Sequence, residues 1–161
     1  MEGLKWLGDE LKILDFDLEC RPLSWYGGDF VTKEITAIAA KFNHQKKMYC
    51  FLLGKHEPEE MLEGFLKLYN EADMVTGHFI RAFDLPVLNG SLSEYNMPFL
   101  GDKISHDTKL DLKKRSGLSG SQESIAGQLG LEAPKVQMDQ AKWREANRLT
   151  SKGLALTRKR A

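Results

Sequence analysis

The 161-residue sequence contains two cysteines, five prolines and no apolar run long enough to cross a membrane. Cys20 and Cys50 are too few for a disulfide framework and form no CxxC pair, so a reducing, cytoplasmic setting is expected. The hydrophobic fraction of 42% and the charged fraction of 29% are those of an ordinary globular protein. We expect a single domain over residues 1–161 and no membrane partner.

The formal net charge is zero, but the charges are unevenly distributed. Only one acid, Glu145, occurs after position 141, whereas residues 1–141 carry a net charge of −6. The basic residues of the terminal segment are Lys142, Arg144, Arg148, Lys152, Arg158, Lys159 and Arg160. Such a segment is typical of a tail that contacts phosphates beside a body that holds metals. A solvated basic helix end explains the same pattern.

Acids alternate with apolar residues in the segment KILDFDLECRP, residues 12–22. In a β-strand, residues two apart point to the same face, so Asp17 and Glu19 are expected side by side. Desolvating two carboxylates is costly unless a cation neutralises them, and Mg²⁺ or Mn²⁺ prefers such oxygen ligands. The pattern therefore indicates a metal-dependent phosphoryl-transfer site. The wet face of an edge strand is the alternative interpretation.

Hydrophobic periodicity predicts an α/β fold with a mixed sheet and helices on its faces. The predicted strands cover residues 12–20, 36–42, 47–53, 74–76 and 103–108. The predicted helices cover residues 57–71, 82–92 and 109–116, a segment capped at 119–121, and a last helix from 139 that is broken near Gly153. The first three strands form an antiparallel meander, and the first strand is expected at the centre of the sheet.

A third acid occurs in VTGHFIRAFDLPVLNG, residues 75–90. Asp84 lies just inside a predicted helix, where the helix dipole favours a negative charge by about 0.3–1 kcal/mol. It also follows a strand and a Gly-His turn, so it lies where a strand end meets a helix start. Asp84 is therefore a candidate third ligand beside Asp17 and Glu19.

KILDFDLE followed by GHFIRAFDLPVLN resembles the first and second motifs of the DEDD proofreading-type 3′–5′ exonucleases, which have a ribonuclease-H-like fold. Downstream, HDTKLDLKK and SQESIAGQLGL are similar to a strand and a helix of that family. The resemblance implies a mixed five-stranded sheet with three antiparallel strands first. It implies two Mg²⁺ or Mn²⁺ ions held by Asp17, Glu19 and Asp84. It also implies single-stranded DNA or RNA 3′ ends as substrate and a polymerase or replication partner.

Two departures from the family pattern weaken the expected activity. Phe79 follows the Gly-His pair, where the family often has Asn. No acid follows Glu145, so the family's last Asp and its His or Tyr general base have no counterpart, and residues 140–160 resemble the lead-up to that motif. We therefore expect a domain truncated at its C-terminus with weak or absent hydrolysis. The alternative is a non-catalytic remnant that binds nucleic acid or a partner.

His106 and Asp111 have the H-x-x-x-x-D spacing of one subclass's third motif. They precede the SQESIAGQLGL helix, whereas the family's third motif follows it, so we interpret the match as accidental. Asp107 corresponds better to a structural acid.

Four neighbouring features have competing interpretations. His78 is expected to be a satisfied turn residue rather than part of a cleft. Trp25 and Tyr26 could stack on a base or cover the sheet edge. Arg81 could bind a phosphate or pair with an acid. Cys20 is expected on the face opposite Glu19, buried and inert.

Overall fold

A computed structural model describes residues 11–22, 33–117, 119–131 and 136–161. Trp25 and Tyr26, with both of their interpretations, lie outside the described residues. In chain order the elements are β1 (Ile13–Pro22), β2 (Lys33–Phe42), β3 (Met48–Leu52), α1 (Pro58–Glu71), β4 (Met74–Gly77), α2 (Asp84–Glu94), β5 (Ile104–Asp107), α3 (Thr108–Ser116), α4 (Gln122–Gln128), α5 (Gln140–Asn147) and α6 (Ser151–Arg160). Within these ranges no helix is both long and apolar enough to cross a bilayer.

The five strands form one mixed sheet in the order β3-β2-β1-β4-β5. β1, β2 and β3 are an antiparallel meander, and β4 and β5 join it in parallel. The predicted ribonuclease-H-like sheet with a central first strand is therefore confirmed. β4 pairs with β1 only at residues 13–15, so β1 extends beyond β4 toward its C-terminal end.

The alternating pattern of β1 separates its two faces. Leu14, Phe16 and Leu18 are at most 5% exposed and join the core. Helices α1 and α2 cover this face, with α1 contributing Met61, Leu62, Phe65, Leu68 and Tyr69 and α2 contributing Leu88 and Leu92. The acids of β1 therefore lie on the opposite face, which we call the acid face.

Helices α5 and α6 pack against each other, and α6 also contacts β2 and β3. The predicted break in the last helix is present, but it lies at residues 148–150 rather than at Gly153, because the chain turns at Leu149, whose φ is 57°. Thr150 then caps α6, since its hydroxyl accepts a hydrogen bond from the Gly153 N–H at 3.1 Å. Arg21 Nη1 donates to the carbonyl of Asn147 at 2.7 Å and so ties the end of α5 to β1.

Gly153 lies where α6 packs closely against the backbone of α5. A Cβ placed on it would be 2.2 Å from the carbonyl oxygen of Glu145, a backbone atom that cannot move aside as a side chain can. A glycine is therefore needed at this position for α6 to pack on α5.

Gly153→Ala is expected to lower the free energy of unfolding by about 1–3 kcal/mol, the usual range for overpacking. Gly127→Ala is the matched control, because Gly127 is also helical and its Cβ would meet nothing within 4 Å. That change should be neutral or stabilising, since alanine is the better helix former. Urea denaturation of both variants measures the two changes in the free energy of unfolding. Equal midpoints would show that the packing of α6 on α5 does not depend on Gly153.

Candidate active site

Asp17 and Glu19 lie on the acid face of β1, on either side of the buried Leu18. Asp17 is partly exposed and lines a cavity of about 130 Å³, whereas Glu19 is only 6% exposed. Other residues around this cavity are Asp15, Phe16, Ala39, Ala40, Lys41, Met48, Gly77, His78, Gln122 and Ala161. The expected pairing of the two acids on one strand face is therefore observed, with one acid open to the cavity and the other buried.

Asp84 is the first residue of α2 and is 3% exposed. Its Oδ1 accepts a hydrogen bond from the backbone N–H of Leu18 at 3.0 Å. The N–H of Leu18 is available for this bond because β1 continues past the end of β4. The carboxylate of Asp84 therefore lies against the backbone between Asp17 and Glu19.

The electrostatic effect of the three acids is visible at Cys20. Burial raises the pKa of its thiol to about 12, and the carboxylates of Asp84, Glu19 and Asp17 each add to the rise. Cys20 packs against the hydrophobic core, on the side expected from the sequence, although it is only partly buried. With so high a pKa the thiol is inert at neutral pH, as predicted.

Arg160, near the end of α6, reaches the acid face. Its Nε lies 3.3 Å from Oε1 of Glu19, and the two side chains are 21% and 7% exposed. Its Nη1 also donates to the carbonyl of Val136 at 2.7 Å. A solvated basic helix end is therefore a wrong interpretation for Arg160, although Arg158 and Lys159 are exposed.

Residues 140–160, which were expected to lead up to a further motif, form α5 and α6. The last residue of α6, Arg160, lies at the acid face. Arg160 is a site residue that sequence reasoning missed. The signal in the sequence was the run of basic residues after Glu145 that contains no acid. That run does not indicate which basic residue points toward the acid face.

His78 is at the rim of the cavity and hydrogen bonds to a neighbour. Its Nδ1 lies 3.0 Å from the hydroxyl of Thr108. Burial and the positive charge of Lys109 lower the pKa of His78. The side chain is therefore neutral at pH 7 and bonded to a neighbour, as predicted, but it also lines the cavity, which was not predicted.

His106 and Asp111 have separate hydrogen-bond partners. Both oxygens of Asp111 accept hydrogen bonds from the guanidinium of Arg81, at 2.6 and 3.0 Å. Of the two interpretations of Arg81, pairing with an acid is therefore the one observed. Arg81 and the backbone N–H of Asp107 hold the pKa of Asp111 at about 2. His106 is exposed, and its Nδ1 lies 3.5 Å from the hydroxyl of Thr76. The interpretation of this spacing as accidental agrees with the contacts.

Asp107 is a structural acid and is fully buried. Its carboxylate accepts four hydrogen bonds of 3.0 Å from the backbone N–H groups of Phe79, Arg81, Lys109 and Leu110. These bonds join the turn before α2 to the first turn of α3. They also stabilise the left-handed conformation of Phe79, whose φ is 68°.

The donor set fits Mg²⁺ or Mn²⁺ in chemistry, because three carboxylates supply the oxygen ligands that these ions prefer. The hydrogen bond from the Leu18 N–H places the carboxylate of Asp84 beside the strand that carries Asp17 and Glu19. Across the described ranges, however, no group of three or more His, Cys, Asp or Glu side chains is arranged to hold a metal ion. The guanidinium of Arg160 lies against Glu19, 3.3 Å from its Oε1.

No family model matches the sequence, and no curated protein matches it. Among solved structures, the chain is similar to a family B DNA polymerase from the hyperthermophilic archaeon Pyrobaculum calidifontis, with a TM-score of 0.68 and 14% sequence identity. The match covers 92% of this chain and 23% of the polymerase chain. At this identity the likeness shows the fold, and the chain corresponds to under a quarter of the polymerase's length.

Proposed function

We propose that the chain is a metal-dependent 3′–5′ exonuclease domain that hydrolyses nucleic-acid ends at the acid face. The observation that carries the proposal is the hydrogen bond from the Leu18 N–H to Asp84. It brings an acid 66 residues away from Leu18 in the chain to the backbone between Asp17 and Glu19. The similarity of the fold to a DNA polymerase chain supports a role in nucleic-acid processing.

Asp17, Glu19 and Asp84 are the proposed ligands for Mg²⁺ or Mn²⁺, and the two ions expected would activate water and stabilise the departing 3′ oxygen. Asp17 is the ligand that faces the cavity, where the scissile phosphate would enter. Asp84 is positioned by Leu18 and by the start of α2. DNA and RNA ends both fit this role, and a replication partner is part of the proposal.

A non-catalytic, nucleic-acid-binding or partner-binding domain is the second candidate. It is favoured by the ion pair between Glu19 and Arg160, which neutralises one of the three acids. Such a domain would bind single strands through the exposed basic residues of α5 and α6. Its affinity would fall steeply with salt, because phosphate contacts release counterions.

Slow, Mn²⁺-dependent shortening of a single strand from its 3′ end is the expected result for the unchanged chain. The rate should be low because Glu19 is paired with Arg160. The assay uses 5′-labelled DNA and RNA oligonucleotides, so that stepwise 3′ loss gives a ladder, with EDTA as the metal-free arm. Asp17→Ala should abolish the ladder, whereas Asp15→Ala, on the same face of β1, should retain it.

A ladder that survives in Asp17→Ala would rule out the acid face as the active site. If the chain and its Arg160→Gln variant both bind the oligonucleotide without shortening it, the non-catalytic domain is the better description.

A further inference from the structure

We propose that Arg160 is a built-in counter-cation that a divalent metal ion must displace from Glu19, so that metal binding at the acid face is coupled to release of the end of α6. The physiological purpose of this displacement rests on the proposed function. The displacement itself requires only Glu19, Arg160 and a divalent metal ion, so it can be tested without an activity assay.

The position of Arg160 is determined by several contacts. The guanidinium lies against Glu19 at one end and donates to the carbonyl of Val136 at 2.7 Å. Farther up α6, Thr157 and Gly153 are buried against the rest of the chain, and Thr157 donates to the carbonyl of Gly153 at 3.0 Å. Because α6 is packed in this way, its last residue, Arg160, is held beside Glu19.

The guanidinium and a metal ion compete for the same oxygen. Mg²⁺ binds carboxylate oxygens at about 2.0–2.1 Å, and Nε of Arg160 is already 3.3 Å from Oε1 of Glu19. Two cations so close to one buried oxygen repel each other strongly, because there is little water to screen them. Glu19 therefore binds one or the other. When no metal is bound, the positive charge of Arg160 also offsets part of the desolvation cost of the buried Glu19 carboxylate.

The test is a calorimetric titration of metal-free protein with Mn²⁺, comparing Arg160→Gln with the matched control Arg158→Gln. Arg158 is on the same helix but exposed. Arg160→Gln should bind Mn²⁺ about tenfold or more tightly than the unchanged chain, because the metal ion no longer has to displace a guanidinium from Glu19. Arg158→Gln should bind as the unchanged chain does. Equal affinities for the two variants would overturn the proposal.

A second measurement uses the unchanged chain, in case Arg160→Gln fails to fold. The Nε–H resonance of Arg160 is followed by ¹⁵N NMR during titration with diamagnetic Mg²⁺. Displacement should shift this resonance and speed its exchange with solvent, whereas the Nε–H of Arg158 should not respond. An unchanged Arg160 resonance at saturating Mg²⁺ would overturn the proposal.

Failure of this inference and failure of the proposed function give different results. Tighter Mn²⁺ binding in Arg160→Gln without any hydrolysis supports the displacement and removes the exonuclease proposal. Mn²⁺-dependent hydrolysis with equal Mn²⁺ affinities in Arg160→Gln and Arg158→Gln supports the exonuclease proposal and removes the displacement of Arg160.

Discussion

Asp84→Asn is expected to reduce Mn²⁺-dependent 3′ shortening by about a hundredfold or more, because it removes one of the proposed metal ligand charges. The fold should survive, since the amide oxygen of Asn can still accept the hydrogen bond from the Leu18 N–H that Oδ1 of Asp84 accepts at 3.0 Å. The initial rate of strand shortening is measured beside the free energy of unfolding, which should change by about 1 kcal/mol or less.

Two further variants separate the charge of Asp84 from its structural bond. Asp84→Ala removes both and should also destabilise the fold by about 1–3 kcal/mol, because a buried N–H loses its acceptor. Asp73→Asn is the matched control, since Oδ2 of Asp73 accepts from the backbone N–H of Lys12, just before β1, at 2.8 Å. It should leave the rate unchanged. Full activity in Asp84→Asn would exclude Asp84 from the site.

Asp107→Ala is expected to lower the free energy of unfolding by about 3 kcal/mol or more, which is the largest stability effect that we predict. The physical reason is that one fully buried carboxylate accepts four backbone hydrogen bonds, and alanine leaves all four donors without this acceptor. Urea denaturation at pH 7 measures the change. Asp102→Ala, at an exposed acid five residues earlier, is the control and should be nearly neutral.

Asp107→Asn gives a graded comparison. Its single carbonyl oxygen can replace Oδ1, which accepts from Phe79, Lys109 and Leu110. The amide nitrogen cannot replace Oδ2, which accepts from Arg81. The variant should therefore lie between the unchanged chain and Asp107→Ala. If Asp107→Ala is as stable as Asp102→Ala, the four bonds do not support the fold.

The contribution of Asp107 should also depend on pH. Burial alone would raise the pKa of this carboxyl, but the four backbone N–H bonds outweigh it and hold the pKa below its usual range. A lowered pKa in the folded state stabilises the fold above the unfolded-state value of about 3.9, and that contribution is lost as the pH falls through the folded-state pKa. The stability difference between the unchanged chain and Asp107→Ala should therefore narrow below about pH 4.

The strand pattern was predictable from the sequence because each prediction rests on local periodicity. Alternation in residues 12–22 assigns Leu14, Phe16 and Leu18 to one face of β1 and Asp17 to the other, whatever packs on them. The order of strands and helices then leaves few sheet topologies, and the observed one has β1 at the centre. The position of Asp84 at a helix start also follows from local signals, although the strand backbone that it contacts does not.

The ion pair between Glu19 and Arg160 was decided only by the tertiary structure. Seven basic residues follow position 141, and their sequence does not distinguish Arg160 from Arg158 or Lys159. The left-handed turn at Leu149 and the close crossing at Gly153 set the direction of α6, and that direction places Arg160 beside Glu19. Such a contact joins residues 141 positions apart, so no local pattern encodes it. By itself the sequence determined which acids share the face of β1; the packing of α6 decided which cation lies against them.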